Sequence, residues 1–202
     1  MLRLLVLIAC SAWIATAGAQ NVIINGDFET GPFDTNVAVS GWDVVGNVGS
    51  VSDQGFTTAS HAAALSVGNN SEGDMLSQTF STTIGQLYSL DFDSGVFGIR
   101  SDGALSLQIQ VFGSGTLLDD TITPPYNGNF SPASFDHYTY TFTADSASTT
   151  LKFTDIGSGN ANADIMLDTV SVVAAPEPAT WMLMIVGLAP FGLLARRRRA
   201  LQ

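Results

Sequence analysis

Cysteine is almost missing from this 202-residue chain: the one residue, Cys10, lies in an apolar N-terminal stretch, and nothing from Gln20 onward carries a thiol. That excludes a disulfide scaffold, a thiolate metal site and a cysteine nucleophile for the body of the protein. Positive charge is scarce too. Seven Lys and Arg stand against 18 Asp and Glu, and five of the seven are Arg3 and Arg196 to Arg199, near the two ends. Between Gln20 and Ala175 only Arg100 and Lys152 remain, against 17 carboxylates, for a formal charge of −15. A surface this acidic excludes nucleic acid as a partner, since that binding depends on neutralising phosphates with Lys and Arg; divalent cations suit it better. Also lacking are an amphipathic helical pattern, a repeat of fixed period, and the G-x-S-x-G, H-E-x-x-H, P-loop and dinucleotide motifs. Paired carboxylates such as Asp91 and Asp93, or Asp119 and Asp120, arise readily among 17 acids and read as solvated faces. The expectation is a non-enzyme.

What is present alternates. Leu105, Leu107, Ile109 and Val111 interleave with Ser106, Gln108 and Gln110, and Tyr138, Tyr140, Phe142 and Ala144 interleave with threonines. A period of two with one apolar face marks half-buried strands. Further strands are expected at Val22–Ile24, Trp42–Val45, Ala62–Val67, Met75–Phe80, Tyr88–Asp93, Leu117–Ile122, Leu151–Phe153 and Ile165–Val173. Clusters of Gly, Asn, Asp, Ser and Pro separate them, as in Gly68-Asn69-Asn70-Ser71-Glu72-Gly73. Nine or ten short strands joined by turns predict an all-β sandwich, and residues 20–175 are the right length for one domain.

The two ends read as export signals. Arg3, the apolar run Leu4 to Ile14 and the small residues Ala17-Gly18-Ala19 predict a signal peptide over residues 1–19, cut after Ala19. At the other end, Pro176-Glu177-Pro178 precedes seventeen mostly apolar residues, 179–195, and four arginines, Arg196, Arg197, Arg198 and Arg199. Seventeen helical residues reach roughly 25 Å, marginal for a hydrocarbon core of ~30 Å, and the arginines stay cytoplasmic. The prolines keep the preceding segment extended and open to a protease. Residues 176–202 closely resemble the PEP-CTERM sorting signal of Gram-negative bacteria that make exopolysaccharide. The resemblance implies export through the Sec machinery, an inner-membrane-tethered intermediate, cleavage by an exosortase, and a final place at the cell surface or in the extracellular matrix.

A second resemblance covers most of residues 21–173. Asn21-Val-Ile-Ile-Asn-Gly-Asp-Phe-Glu29 opens this stretch and Ile165-Met-Leu-Asp-Thr-Val-Ser-Val172 closes it. With Ser60 to Leu65, Gly85 to Leu90 and Tyr138 to Ala144 between them, they resemble the galactose-binding-like jelly roll of carbohydrate-binding modules. That fold implies binding to exopolysaccharide or cell-wall carbohydrate, and a structural Ca2+ between first and last strands, with Glu29 and Asp168 at the matching positions and Asp27 as a weaker third ligand. Asp168 has an independent argument: on a regular strand it shares a face with Met166, Val170 and Val172, where an unpaired carboxylate is costly. A hydrogen-bonded or solvated strand end is the alternative. As aromatic platforms for sugar the candidates are Trp42, Tyr126 and Phe130, although Trp42 in its Gly-Trp-Asp-Val context reads more readily as a core anchor. His61 and His137 fit no metal spacing. A structural matrix protein that self-associates through divalent cations is the second functional expectation.

Overall fold

The computed structural model describes residues 20–35, 37–68, 73–98, 105–128, 133–157 and 163–175. Within them the chain forms ten strands and no helix: β1 Asp43–Val45, β2 Val48–Val51, β3 Ala62–Leu65, β4 Met75–Ser81, β5 Leu87–Gly98, β6 Leu107–Phe112, β7 Thr116–Ile122, β8 Phe135–Thr143, β9 Ser148–Asp155 and β10 Ala163–Ala174. They make two five-stranded sheets, a front sheet of order β1-β4-β9-β6-β7 and a back sheet of order β2-β3-β10-β5-β8, every pairing antiparallel. The all-β sandwich expected from alternation is what forms.

Alternation also explains the core. Leu107, Ile109 and Val111 of β6 and Leu151 and Phe153 of β9 are fully buried between the sheets, facing Leu90 and Phe92 of β5 and Ile165 and Leu167 of β10. Phe92 meets Phe153 edge-on at 5.0 Å and lies against the Tyr138 ring at 5.3 Å, which ties the two sheets at the centre. Tyr138 and Tyr140 are half-buried at the β8 edge, while Phe142 and Ala144 go fully inside. A second, smaller apolar cluster of Val51, Ala62, Ala64, Val67 and Met166 lies on the outer side of the back sheet, with Phe97, Ala133 and Phe135 packed against it.

Three expectations are corrected. Val48-Gly-Ser-Val51 is a strand that the sequence hides, because all four residues are buried and no alternation shows. Val22–Ile24 is not one: a single bridge joins Asn21 to Val173, and the Gln78 amide takes the place of a strand partner for Ile24, with Nε2 donating to the Ile24 carbonyl and Oε1 accepting from its N–H. Strand β10 carries an irregularity between Asp168 and Ser171, with Thr169 at φ 51. The extra residue reverses the phase, so Asp168 shares the outer face with Met166 while Val170 and Val172 turn into the main core.

Candidate functional site

The front sheet presents an outward face whose rows follow from its register. Asp43, Ser77, Lys152, Gln110 and Asp119 stand side by side across all five strands. On one side runs the row Val45, Met75, Thr154, Gln108 and Thr121; on the other, Thr79, Thr150, Phe112 and Thr116. Residues two apart on a strand share a face, so the apolar core dictates that these intervening polar side chains point to water. Lys152 is the only Lys or Arg among the described residues, and it occupies the middle of the middle row.

The polar groups on this face are partly held and partly open. Asp119 accepts from Gln108 Nε2 at 2.9 Å and from Gln110 Nε2 at 3.1 Å, which fixes both amides. The Thr79 and Thr150 hydroxyls are 2.8 Å apart. Lys152 Nζ lies 5.3 Å from the centre of the Phe112 ring. Gln110 Oε1 and Thr154 Oγ1 are buried on this face without a hydrogen-bond partner. Buried polar atoms without partners are rare in native proteins, and each requires an explanation. Acceptors, one ammonium and an aromatic ring within three rows of one sheet face are the groups that fix sugar hydroxyls and cover an apolar sugar face.

The carboxylates expected to bind calcium do other work. Glu29 Oε1 accepts from the N–H groups of Ser60 at 2.7 Å and His61 at 2.6 Å, while Oε2 accepts from the Ser60 hydroxyl at 2.7 Å and lies 3.0 Å from His61 Nδ1. Burial acts to raise its pKa, but these bonds outweigh it and draw the carboxyl down to about 2. Asp168, fully buried, accepts from the Thr57 and Thr58 N–H groups at 2.7 and 2.9 Å, from the Thr57 hydroxyl at 3.0 Å and from the Thr169 N–H at 2.6 Å. Burial is the larger influence there and pushes its pKa up against those donors. Asp27 is exposed and caps its own turn, accepting from the Glu29 N–H at 3.5 Å. Glu29 and Asp168 therefore grip neighbouring residues of one loop from the two ends of the domain. The tie between ends exists, but it is made of N–H and O–H donors aimed at the oxygens a cation would need. Among the described residues no three His, Cys, Asp or Glu side chains converge as metal ligands. In this conformation the donor set does not fit Ca2+.

The aromatic candidates separate. Trp42 is 7% exposed, packed against Phe28 at 5.7 Å and Phe153 at 6.4 Å, with Nε1 donating to the Asn25 carbonyl at 3.1 Å. It is a core anchor with no face to offer a sugar, because the strand phase that points Asp43 outward turns its neighbour in. Tyr126 is half-buried against the main core and bridges Val96 on the back sheet, away from the polar rows. Phe130, Ala17, Ala19, Pro176, Glu177, Pro178 and Arg196 to Arg199 lie outside the described residues. Among the described residues no helix is long and apolar enough to cross a membrane. His61 is satisfied by Glu29 and stacks on Phe33 at 3.8 Å. His137 Nδ1 lies 2.6 Å from Asp93. Asp119 and Asp120 point to opposite sides of β7, the latter accepting from the Tyr140 hydroxyl at 2.8 Å, so they do not act as a pair. The residues that sequence reading passed over are Gln108, Gln110, Phe112, Asp119 and Lys152. Their signal was present in the polar half of an alternating strand, but only the register assembles five strands into one face.

Known structures share this fold. A carbohydrate-binding module, TmCBM61, solved in complex with beta-1,4-galactotriose, matches with a TM-score of 0.55 at 17% identity, over 77% of this chain and 99% of its own. A family 16 carbohydrate-binding module matches with a TM-score of 0.50 at 17% identity, over 76% of this chain and 99% of its own. At that identity the likeness is one of fold, the jelly-roll sandwich. No curated protein matches the sequence significantly. The family model described as "Protein of unknown function (DUF642)" matches residues 21–173, three quarters of the chain and the whole sandwich, and the protein belongs to the DUF642 family.

Proposed function

We propose that residues 20–175 form a non-catalytic glycan-binding domain whose site is the outward face of the front sheet. It would be exported by the signal peptide, held by the C-terminal tail and released to the surface or matrix by an exosortase. The observation that carries the binding reading is the central polar row, with Lys152 in its middle between Ser77 and Gln110 and the exposed Asp119 carboxylate at its end. Sugar hydroxyls donate to an exposed carboxylate such as that of Asp119 and accept from an ammonium such as that of Lys152, and Phe112 supplies the apolar contact. The fold shared with carbohydrate-binding modules supports the same reading, and so does the sorting-signal resemblance to producers of exopolysaccharide. A −15 domain favours neutral glycans over polyanionic ones, because only one described cation meets the ligand.

The test is retention on a panel of neutral polysaccharides by affinity electrophoresis, for the parent domain and for Lys152→Ala and Gln110→Ala. Retention that both variants weaken about tenfold, with unchanged melting temperatures, supports the reading. Retention equal in all three moves the site elsewhere. No retention on any glycan, with calcium-driven self-association instead, favours the matrix protein that aggregates through divalent ions.

A further inference from the structure

The chain enters and leaves the sandwich at one pole, at Asn21 and Ala175. Asn21 bridges Val173, the Ala175 N–H donates to the Leu87 carbonyl at 2.8 Å, and Gln86 Nε2 donates to the Ala175 carbonyl at 2.9 Å. The turns 82–86, 113–115 and 144–147 belong to the same pole, since β4 ends there and β5, β7 and β9 begin there. Two of the large exposed apolar side chains lie on it, Ile84 at 67% and Leu87 at 43% exposure. Of the domain's 17 acids these turns hold one, Asp145, and its carboxylate is engaged by the Ser114 N–H and hydroxyl at 2.8 and 2.6 Å.

Chain length restricts where this pole sits. From Ala175 to Ala179, the start of the apolar run, is four residue steps, a reach of roughly 14 Å even when fully extended. Strand β5 runs away from the pole for 12 residues, about 40 Å. A tether that short keeps the Ile84 pole at the membrane and the opposite pole far from it. Anionic lipid repels carboxylates, and the turns of this pole hold one, already engaged by Ser114. We propose that Ile84, Leu87 and the chain at Asn21 and Ala175 form a lipid-facing surface, with Ile84 entering the bilayer interface while the protein is tethered. The proposal rests on the reading of residues 179–195 as membrane-inserted.

The absence of cysteine after residue 10 makes single-site labelling clean. The exported chain, expressed with Cys10→Ser in a host lacking the sorting protease so that the tail is kept, is reconstituted into vesicles containing a shallow nitroxide-labelled lipid. An environment-sensitive fluorophore is attached at Ile84→Cys, at Thr123→Cys on the opposite pole, or at Leu183→Cys within the tail. Quenching at position 84 at least threefold stronger than at 123, together with quenching at 183, is the expected result. Quenching at 183 with quenching at 84 less than threefold stronger than at 123 overturns the lipid-facing pole and leaves the tail reading standing. No quenching at 183 overturns both.

Discussion

Replacing Asp164 by Asn should change the pH dependence of stability by an amount the structure sets. Asp164 is 7% exposed on the outer side of the back sheet, in register with Phe97. Burial raises its pKa; a hydrogen bond from Gln54 opposes this, the charge of Asp53 adds to it and the Gly68 N–H opposes it, for a value of about 7 against an ordinary 3.8. The folded state thus holds a proton between about 3.8 and 7 that the unfolded chain has released, and stability falls as pH rises through that window. Three units amount to roughly 4 kcal/mol at pH above 7, of which roughly 3 kcal/mol develops between pH 5 and 8. Asn cannot ionise, so the variant lacks this loss. For a domain of this size, 1 kcal/mol moves the melting temperature by roughly 2–4 °C, so the variant-minus-parent difference should grow by roughly 5–10 °C from pH 5 to pH 8. Shifts at Asp168 and Glu29 are common to both proteins and cancel. Differential scanning calorimetry across that range is the assay; a difference that stays constant with pH would refute the placement of a buried, late-ionising carboxyl at Asp164.

Asp168→Ala orphans three backbone N–H groups and should cost roughly 3–5 kcal/mol in urea unfolding, with early proteolysis of the 52–61 loop; a loss below 1 kcal/mol would show that the clamp is not formed. Because Glu29 and Asp168 are already satisfied by donors, millimolar calcium should leave the melting temperature within about a degree, and a logarithmic rise with free calcium that Asp168→Ala removes would show instead that the loop yields to the metal. Glu29 titrates in the other direction: its lowered pKa means that its contribution is present above about 4.5 and lost as pH falls toward 2, so Glu29→Gln should flatten acid unfolding in that window. Trp42→Ala should destabilise by roughly 3–5 kcal/mol through the cavity left against Phe28 and Phe153, yet leave glycan retention unchanged below its lowered melting temperature. A selective loss of retention would place a sugar against the indole after all.

Strands such as Leu107–Phe112 and Phe135–Thr143 were legible because one face is apolar and the other polar, a local property that survives in one dimension. Val48–Val51 was not, since burial on both faces erases the alternation. The site divides along the same line. Asp168 was identifiable as a carboxylate in need of partners from its apolar neighbours, but the bulge at Thr169 exchanged those neighbours, and the partners turned out to be the Thr57 and Thr58 backbone, 110 residues away in sequence. The Gly-Trp-Asp-Val context of Trp42 already favoured a core anchor over a sugar platform, and the strand phase beside Asp43 puts the indole inside.

Composition and pattern were enough to establish an acidic, disulfide-free, all-β domain framed by two apolar terminal segments, because charge, cysteine content and period-two alternation are read residue by residue. Register and strand order were needed to place Lys152, Gln110, Phe112 and Asp119 on one face, to bring Asn21 and Ala175 to the Ile84 pole, and to turn Glu29 and Asp168 onto a common loop. Those relations join residues tens to more than a hundred positions apart, and only the packing of two sheets over a shared core brings such residues within reach of one another.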